Sequence, residues 1–256
     1  MINYIKEFII FSIYKLNSFR TLFFSKVSPE NEKCLKGLYD NGIFHLPSQI
    51  EPTKVTELKS CIDDLLENQS QNVNIWNDPE GADSRIYGAN QLNTKFKELI
   101  PFNFIKNIGE LYLQTSLEEY FILAAKISYK EGNIGSGGGW HRDSAHSHQF
   151  KSIMYLSDVN EKSGPFQYIP KSHKTFFKIK LPFNLSKTRF SVEEINSLNE
   201  SILECTAKAG DIILTDTKGL HRGKPLDSGF RYALTVYFFT NKKQKKNFET
   251  LLQKKN

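Results

Sequence analysis

Between Phe121 and Phe239 the chain is cut into short apolar or alternating runs, at 121–129, 150–156, 165–169, 176–181, 203–206, 211–215 and 231–239, with Gly, Pro, Asn and Asp clustered between them. Runs of this length satisfy their backbone groups by pairing with one another. Many short strands separated by turns argue a β-sandwich or barrel. A polar, helix-prone insert at 184–202 interrupts the series.

The residues before Phe121 have a helical texture. Ser28-Pro29-Glu30 opens a helix, with Ser as N-cap and Pro in the first turn, and Asn41-Gly42 stops it. Gly42 to Pro47 reads as a short strand. A helix follows from Pro52 with Val55, Leu58, Cys61, Ile62, Leu65 and Leu66 on one face, and another over Phe102 to Ser116. The expected organisation is one domain over 1–256. It comprises an N-terminal helix (1–27), a helical support with a first strand (28–120), a β core (121–240) and a basic tail (241–256).

The first segment, MINYIKEFIIFSIYKLNSFRTLFF, is apolar but interrupted by Lys6, Glu7, Lys15 and Arg20. Its uncharged run from Phe8 to Tyr14 is too short to span a bilayer, and no small-residue cleavage site follows, so a signal peptide is not expected. Ile5, Phe8, Ile9, Ile13, Leu16 and Phe19 give a helix with a broad apolar face. That helix either packs on the outside of the domain or makes peripheral membrane contact through residues 1–25.

The formal net charge is +6, with the excess at the two ends of the chain: Lys6, Lys15, Arg20 and Lys26, and the tail NKKQKKNFETLLQKKN. A solvated terminus accounts for such a tail, and charge does not choose the function. Cys34, Cys61 and Cys205 are odd in number and share no metal-binding spacing, so the expected setting is a reducing cytoplasm. Oligomeric state is left open.

The chemistry concentrates in IGSGGGWHRDSAH, residues 134–146. On an extended backbone residues two apart share a side, so His141 and Asp143 can converge on one ion. His221, in DTKGLHRGKP, follows the apolar run Asp211 to Thr215 where a strand ends. Two histidines and one carboxylate form the facial triad of non-haem iron(II) oxygenases, which leaves coordination positions free. Arg231, ten residues past His221, opens RYALTVYFF, and a guanidinium is suited to clamp the distal carboxylate of 2-oxoglutarate. GSGGG is not a phosphate loop, since no GK[ST] follows. His146 and His148 read as loop or substrate-mouth residues, His45 and His173 as structural.

These residues sit in a sequence that resembles the phytanoyl-CoA dioxygenase family over about residues 35–240. DNGIFHLP resembles that family's opening strand "dGyvvlp". WHRD matches its W-H-x-D, IMYLSDVNEKSGPFQYIPKSHK is similar to its "aLtDvteenGplqviPGSHk", and AGDIILTDTKGLHRG to its "aGdlvlfdtrtlHrs". Lys171 replaces a usual glycine, and GKPLDSGFR lacks the Asn and Ser often found before the arginine. The resemblance implies iron(II) at His141, Asp143 and His221, the cosubstrate 2-oxoglutarate salt-bridged to Arg231, and dioxygen as oxidant. It implies a mainly β fold with flanking helices: a double-stranded β-helix (jelly roll, cupin-like) core packed against N-terminal helices. Tyr129, Lys130 and Tyr155 are further candidates for cosubstrate contact. RIYGANQL, 85–92, resembles a segment over the active-site mouth, which makes Arg85 a candidate substrate contact.

The reaction implied is hydroxylation of a small organic substrate, an anionic metabolite or a sugar, with release of succinate and carbon dioxide. The carboxylate of Asp143 stands where related halogenases have a small residue; desaturation, ring closure and epimerisation stay open. A non-catalytic metal- or ligand-binding module on the same fold is one rival. A nucleic-acid demethylase is another, but those enzymes carry a second arginine where this chain has Tyr237, and no basic-aromatic stripe lies near the motif, so no nucleic acid is expected.

Overall fold

The computed structural model describes residues 2–24, 26–68, 75–79, 81–240 and 246. The basic tail expected at 241–256 therefore lies outside the described residues except for Lys246. In chain order the elements are α1 (Ile2–Phe24), α2 (Pro29–Asn41), β1 (Ile43–Leu46), α3 (Pro52–Glu67), β2 (Ile75–Asn77), β3 (Asp83–Tyr87), α4 (Ala89–Leu92), α5 (Lys95–Glu98), α6 (Phe102–Leu113) and β4 (Glu119–Ser128). There follow β5 (Phe150–Tyr155), β6 (Phe166–Tyr168), α7 (Thr175–Lys180), α8 (Val192–Asn196), β7 (Leu203–Cys205), β8 (Ile212–Asp216), β9 (His221–Gly223) and β10 (Phe230–Phe239).

Local signals explain the ends of α2. The Ser28 hydroxyl accepts the Asn31 N–H at 3.2 Å, and Gly42, at φ +81°, donates its N–H to the Leu38 carbonyl in a left-handed cap. The chain then runs directly into β1.

Every strand pairing is antiparallel. A seven-stranded sheet has the order β1-β8-β5-β10-β4-β3-β2, and a three-stranded sheet the order β7-β6-β9. This is the mainly β, jelly-roll architecture that the sequence implies. Alternation along the central strands sorts side chains between two environments. Tyr232, Leu234, Val236 and Phe238 of β10 join Phe150 and Met154 of β5 in the main core, packed against α2, α3 and α6. Arg231, Ala233, Thr235 and Tyr237, one residue out of phase, line a cavity on the opposite face with Lys151, Ile153 and Tyr155 of β5. Register makes them neighbours: Ala233 pairs with Tyr155, Thr235 with Ile153 and Tyr237 with Lys151.

Two expectations change. The run 176–181, expected as a strand, is the helix α7 with its flanking residue. Phe177, Lys178 and Leu181 turn inward at helical spacing, the two apolar ones onto a cluster of Trp140, Ile169 and Phe190, while Phe176 and Ile179 face out. The region 28–120 supplies β2 and β3 besides its first strand, and β3 joins the large sheet through β4.

The N-terminal helix packs on α2, α6 and α7, but with its polar side inward. Glu7 is fully buried, paired with Lys178 at 2.5 Å and His146 at 2.6 Å. Tyr14 stacks on His148 with centroids 4.2 Å apart, and Thr21 donates to the Leu111 carbonyl at 3.2 Å. Among the described residues no helix is long and apolar enough to cross a membrane.

Candidate metal centre

The segment after β4 is not a regular strand, yet it is held like one. His141 exchanges both backbone hydrogen bonds with His221 of β9, each at 2.9 Å, and the Asp143 N–H donates to the Thr217 carbonyl at 2.9 Å. That ladder ties the loop carrying two candidate ligands to the strand carrying the third. Glycine makes the approach feasible. Gly137 has φ +87°, and a Cβ there would sit 2.5 Å from the His141 ring.

The ligand atoms of His141, Asp143 and His221 all lie within 4.8 Å of one another, a set that could hold a metal ion. Nε2 of His141 is 3.6 Å from one Asp143 oxygen, and Nε2 of His221 is 3.8 Å from the other. Both imidazoles are oriented from behind. Nδ1 of His141 lies 2.9 Å from the Gly139 carbonyl and Nδ1 of His221 lies 2.9 Å from that of Gly219. A carbonyl can only accept, so each Nδ1 carries the proton and each Nε2 presents a lone pair inward.

Charge in the site is arranged around Asp143. Burial would raise its carboxyl, but the Lys151 ammonium at 2.5 Å and the two imidazoles hold it well below the usual carboxylate range. Lys151 also lies over the Tyr237 ring, 3.9 Å from its centroid. Burial lowers His141, and it takes His221 down to about 3, helped by the His141 ring and opposed by Asp143. The candidate ligand nitrogens thus lose their competing protons below the ordinary imidazole value, at His221 well below it.

A pH prediction follows, with His173 contributing as well; that ring, buried beneath Tyr14, is also pushed down to about 3 by burial. Folded values below the unfolded value of 6.5 mean that the unfolded chain binds more protons. Stability of the metal-free protein is therefore full above 6.5 and falls as pH drops from 6.5 towards 3, by up to about 1.4 kcal/mol per pH unit for each group. Denaturant midpoints across that window check it. A flat profile for the parent, or a slope unchanged in His173→Gln, would contradict the assignment.

The cavity has a volume of about 320 Å³ and includes all three candidate ligands. Arg231 reaches it from β10, is 5% exposed, and its Nε has no hydrogen-bond partner among the described residues. Burial lowers this guanidinium and the neighbouring Tyr155 opposes that shift. A buried cation with an unused donor has the character of an anion receptor. Tyr155 lines the same cavity, and its hydroxyl accepts the Phe166 N–H at 2.8 Å. Arg85 lines it too, paired with Asp83 and stacked over Trp76 at 5.1 Å.

Tyr129 and Lys130 are not brought to the cavity. They follow the last residue of β4, where both side chains are exposed. His146 and His148 lie in a loop as expected but face α1 rather than the mouth, paired with Glu7 and Asp216. His45 pairs with Asp211 at 2.8 Å. Lys151, Ser136 and Arg189 are among the lining residues that the sequence motifs do not point to. Lys151 had a signal, since alternation places 151, 153 and 155 on one side of β5. Arg189 had none, because its position depends on an isolated bridge to His141 formed by the insert, and its guanidinium donates to the Gly137 carbonyl.

The family profile described as phytanoyl-CoA dioxygenase matches residues 38–233 of the chain. No curated protein sequence matches it. Among solved structures, the epimerase SnoN in complex with Fe3+, alpha ketoglutarate and nogalamycin RO is similar at 14% identity and TM-score 0.65, covering 82% of this chain and 83% of that one. The alpha ketoglutarate-dependent carbocyclase SnoK from nogalamycin biosynthesis is similar at 17% identity and TM-score 0.60, covering 83% and 84%. HygX from Streptomyces hygroscopicus, with nickel, 2-oxoglutarate and hygromycin B bound, gives 13% identity and TM-score 0.60, covering 84% and 88%. At such identities the likeness is one of fold.

Proposed function

The chain belongs to the phytanoyl-CoA dioxygenase family, and from that premise we propose that it is an iron(II)- and 2-oxoglutarate-dependent dioxygenase that hydroxylates a C–H bond of a small organic substrate. His141, Asp143 and His221 hold the iron, and Arg231 takes the distal carboxylate of 2-oxoglutarate. We read residues 1–256 as one domain. The observation that carries the proposal is the pairing, in one cavity, of two inward-facing Nε2 lone pairs and a carboxylate with a buried arginine whose Nε is unused.

With iron, 2-oxoglutarate and dioxygen bound, one oxygen atom ends in succinate as carbon dioxide leaves, and the other is delivered to the substrate. The protein's own part is positional and electrostatic. The two backbone carbonyls behind the imidazoles fix ring orientation and tautomer. Lys151 keeps Asp143 ionised and adds positive charge where a dianionic cosubstrate enters. The apolar lining of Leu123, Ala125, Ile127, Ile153 and Phe166 limits water in the cavity.

Two further arginines bear on the substrate. Arg85 is neutralised by Asp83, whereas Arg189 is exposed at the cavity with backbone carbonyls of Gly137 and Gly138 as its recorded partners. This favours an anionic compound or a sugar. The decisive experiment is succinate release with iron, 2-oxoglutarate and a panel of anionic sugars, neutral sugars and acyl-CoA thioesters. Stimulation by an anionic compound, reduced in Arg189→Ala at unchanged 2-oxoglutarate KM, is expected. Stimulation only by neutral or cationic compounds would discard the anionic reading, and no succinate under any condition would discard the enzyme. Products distinguish hydroxylation from the epimerisation and ring closure named for SnoN and SnoK.

A further inference from the structure

Helix α1 is amphipathic in the sense opposite to that of an ordinary surface helix. Its inward side carries Glu7, Tyr14 and Thr21, bonded into the domain. Its outward side carries Ile5, Phe8, Ile9, Ile13, Leu16 and Phe23, all more than half exposed, with Phe8 at 66%, Leu16 at 65% and Phe23 at 72%. At about 100° per residue these six occupy an arc of about 140°. A seam for one partner helix is narrower than that.

The patch extends beyond α1. Phe176 of α7, itself 59% exposed, meets Phe11 edge to face with centroids 4.7 Å apart. The exposed charged side chains on α1 itself are all basic. Lys15 borders one edge of the apolar arc and Lys6 the other, with Arg20 just inside that second edge, while the only carboxylate on the helix, Glu7, points inward. Lys174, just before α7, feels the exposed Asp40 carboxylate as well as Lys15, the attraction of the one opposing the repulsion of the other.

We propose that this face is a docking surface for an anionic lipid bilayer, with α1 lying in the headgroup interface, its apolar side chains dipped towards the acyl boundary and Lys6, Lys15 and Arg20 reaching up to lipid phosphates. A broad apolar arc flanked by bases, on a helix unable to span, is what such an interface selects. A second copy of the chain is a poorer occupant. Face-to-face association would oppose two sets of bases on α1, a helix whose one carboxylate, Glu7, is buried.

The test is co-sedimentation of the full chain with vesicles of equimolar phosphatidylglycerol and phosphatidylcholine, beside vesicles of phosphatidylcholine alone. Strong binding to the anionic vesicles and weaker binding to the neutral ones is expected. The variant carrying Lys6→Gln, Lys15→Gln and Arg20→Gln should lose affinity for anionic vesicles by up to about a hundredfold, about fivefold per base. The variant carrying Phe8→Ser, Leu16→Ser and Phe23→Ser should lose binding to both, with circular dichroism and melting of both variants near the parent's, because the inward residues are untouched. Binding of the parent to neither vesicle would overturn the proposal, as would apolar substitutions without effect on binding. So would a parent dimer that the apolar variant dissolves, for the face would then belong to a second copy.

Discussion

Asp143→Ala is expected to leave less than about 1% of turnover, because even groups that only orient a metal ligand are worth about 10- to 100-fold and Asp143 is placed as a ligand itself. The structure adds a consequence that a motif could not. Lys151 is nearly buried and has Asp143 as its recorded ion-pair partner at 2.5 Å. Truncating the carboxylate leaves an ammonium facing two imidazoles, and an uncompensated buried charge costs about 3–5 kcal/mol unless the lysine sheds its proton. The single variant should therefore bind iron poorly and also melt below the parent. Adding Lys151→Met should recover most of the melting temperature and none of the iron. Titration with iron or manganese, followed by succinate release and thermal melting, separates the two effects. Full turnover in Asp143→Ala would mean that the wrong carboxylate has been assigned.

That lysine shows where the sequence stopped being legible. The candidate ligands were readable because their constraint is local: a two-residue spacing on extended backbone, and a histidine at the end of an apolar run. The β architecture was readable for the same reason, since alternation and turn residues act over a few positions. Lys151 needed cross-strand register, which pairs it with Tyr237 and points it at Asp143. Arg189 needed the path of an irregular insert across His141. The short run 176–181 misled because two turns of helix and an alternating strand can share one apolar pattern, and only the burial of Lys178 against Glu7, far off in sequence, decides between them. Tyr129 and Lys130 are candidates only through the family resemblance, and β4 has already ended when the chain reaches them. At α1 the periodicity was visible, yet not which side would face in. A single buried carboxylate with a lysine and a histidine to receive it outweighs several exposed phenyl rings only because, buried alone, it would be far costlier than they are exposed.

Arg231→Met offers the sharpest separation of binding from catalysis. A charge-assisted hydrogen bond is worth about 1.5–3 kcal/mol, so the 2-oxoglutarate KM should rise about ten- to a hundredfold while iron affinity stays at the parent value. Stability should move the other way. Without cosubstrate the parent keeps a 5% exposed guanidinium whose Nε is unsatisfied, and burial already disfavours that charge. Methionine removes the cation and keeps the packing, a change that is neutral or stabilising by about 1–4 kcal/mol where buried charges have been replaced by apolar groups. The variant should thus melt at or above the parent when no 2-oxoglutarate is present, and adding 2-oxoglutarate should raise the parent's melting temperature far more than the variant's. A purely structural arginine predicts the reverse: a lower melting temperature for Arg231→Met and an unchanged response to the cosubstrate. If that is what the melts give, the anion site has to be sought elsewhere in the cavity, with Lys151 the next cation to test.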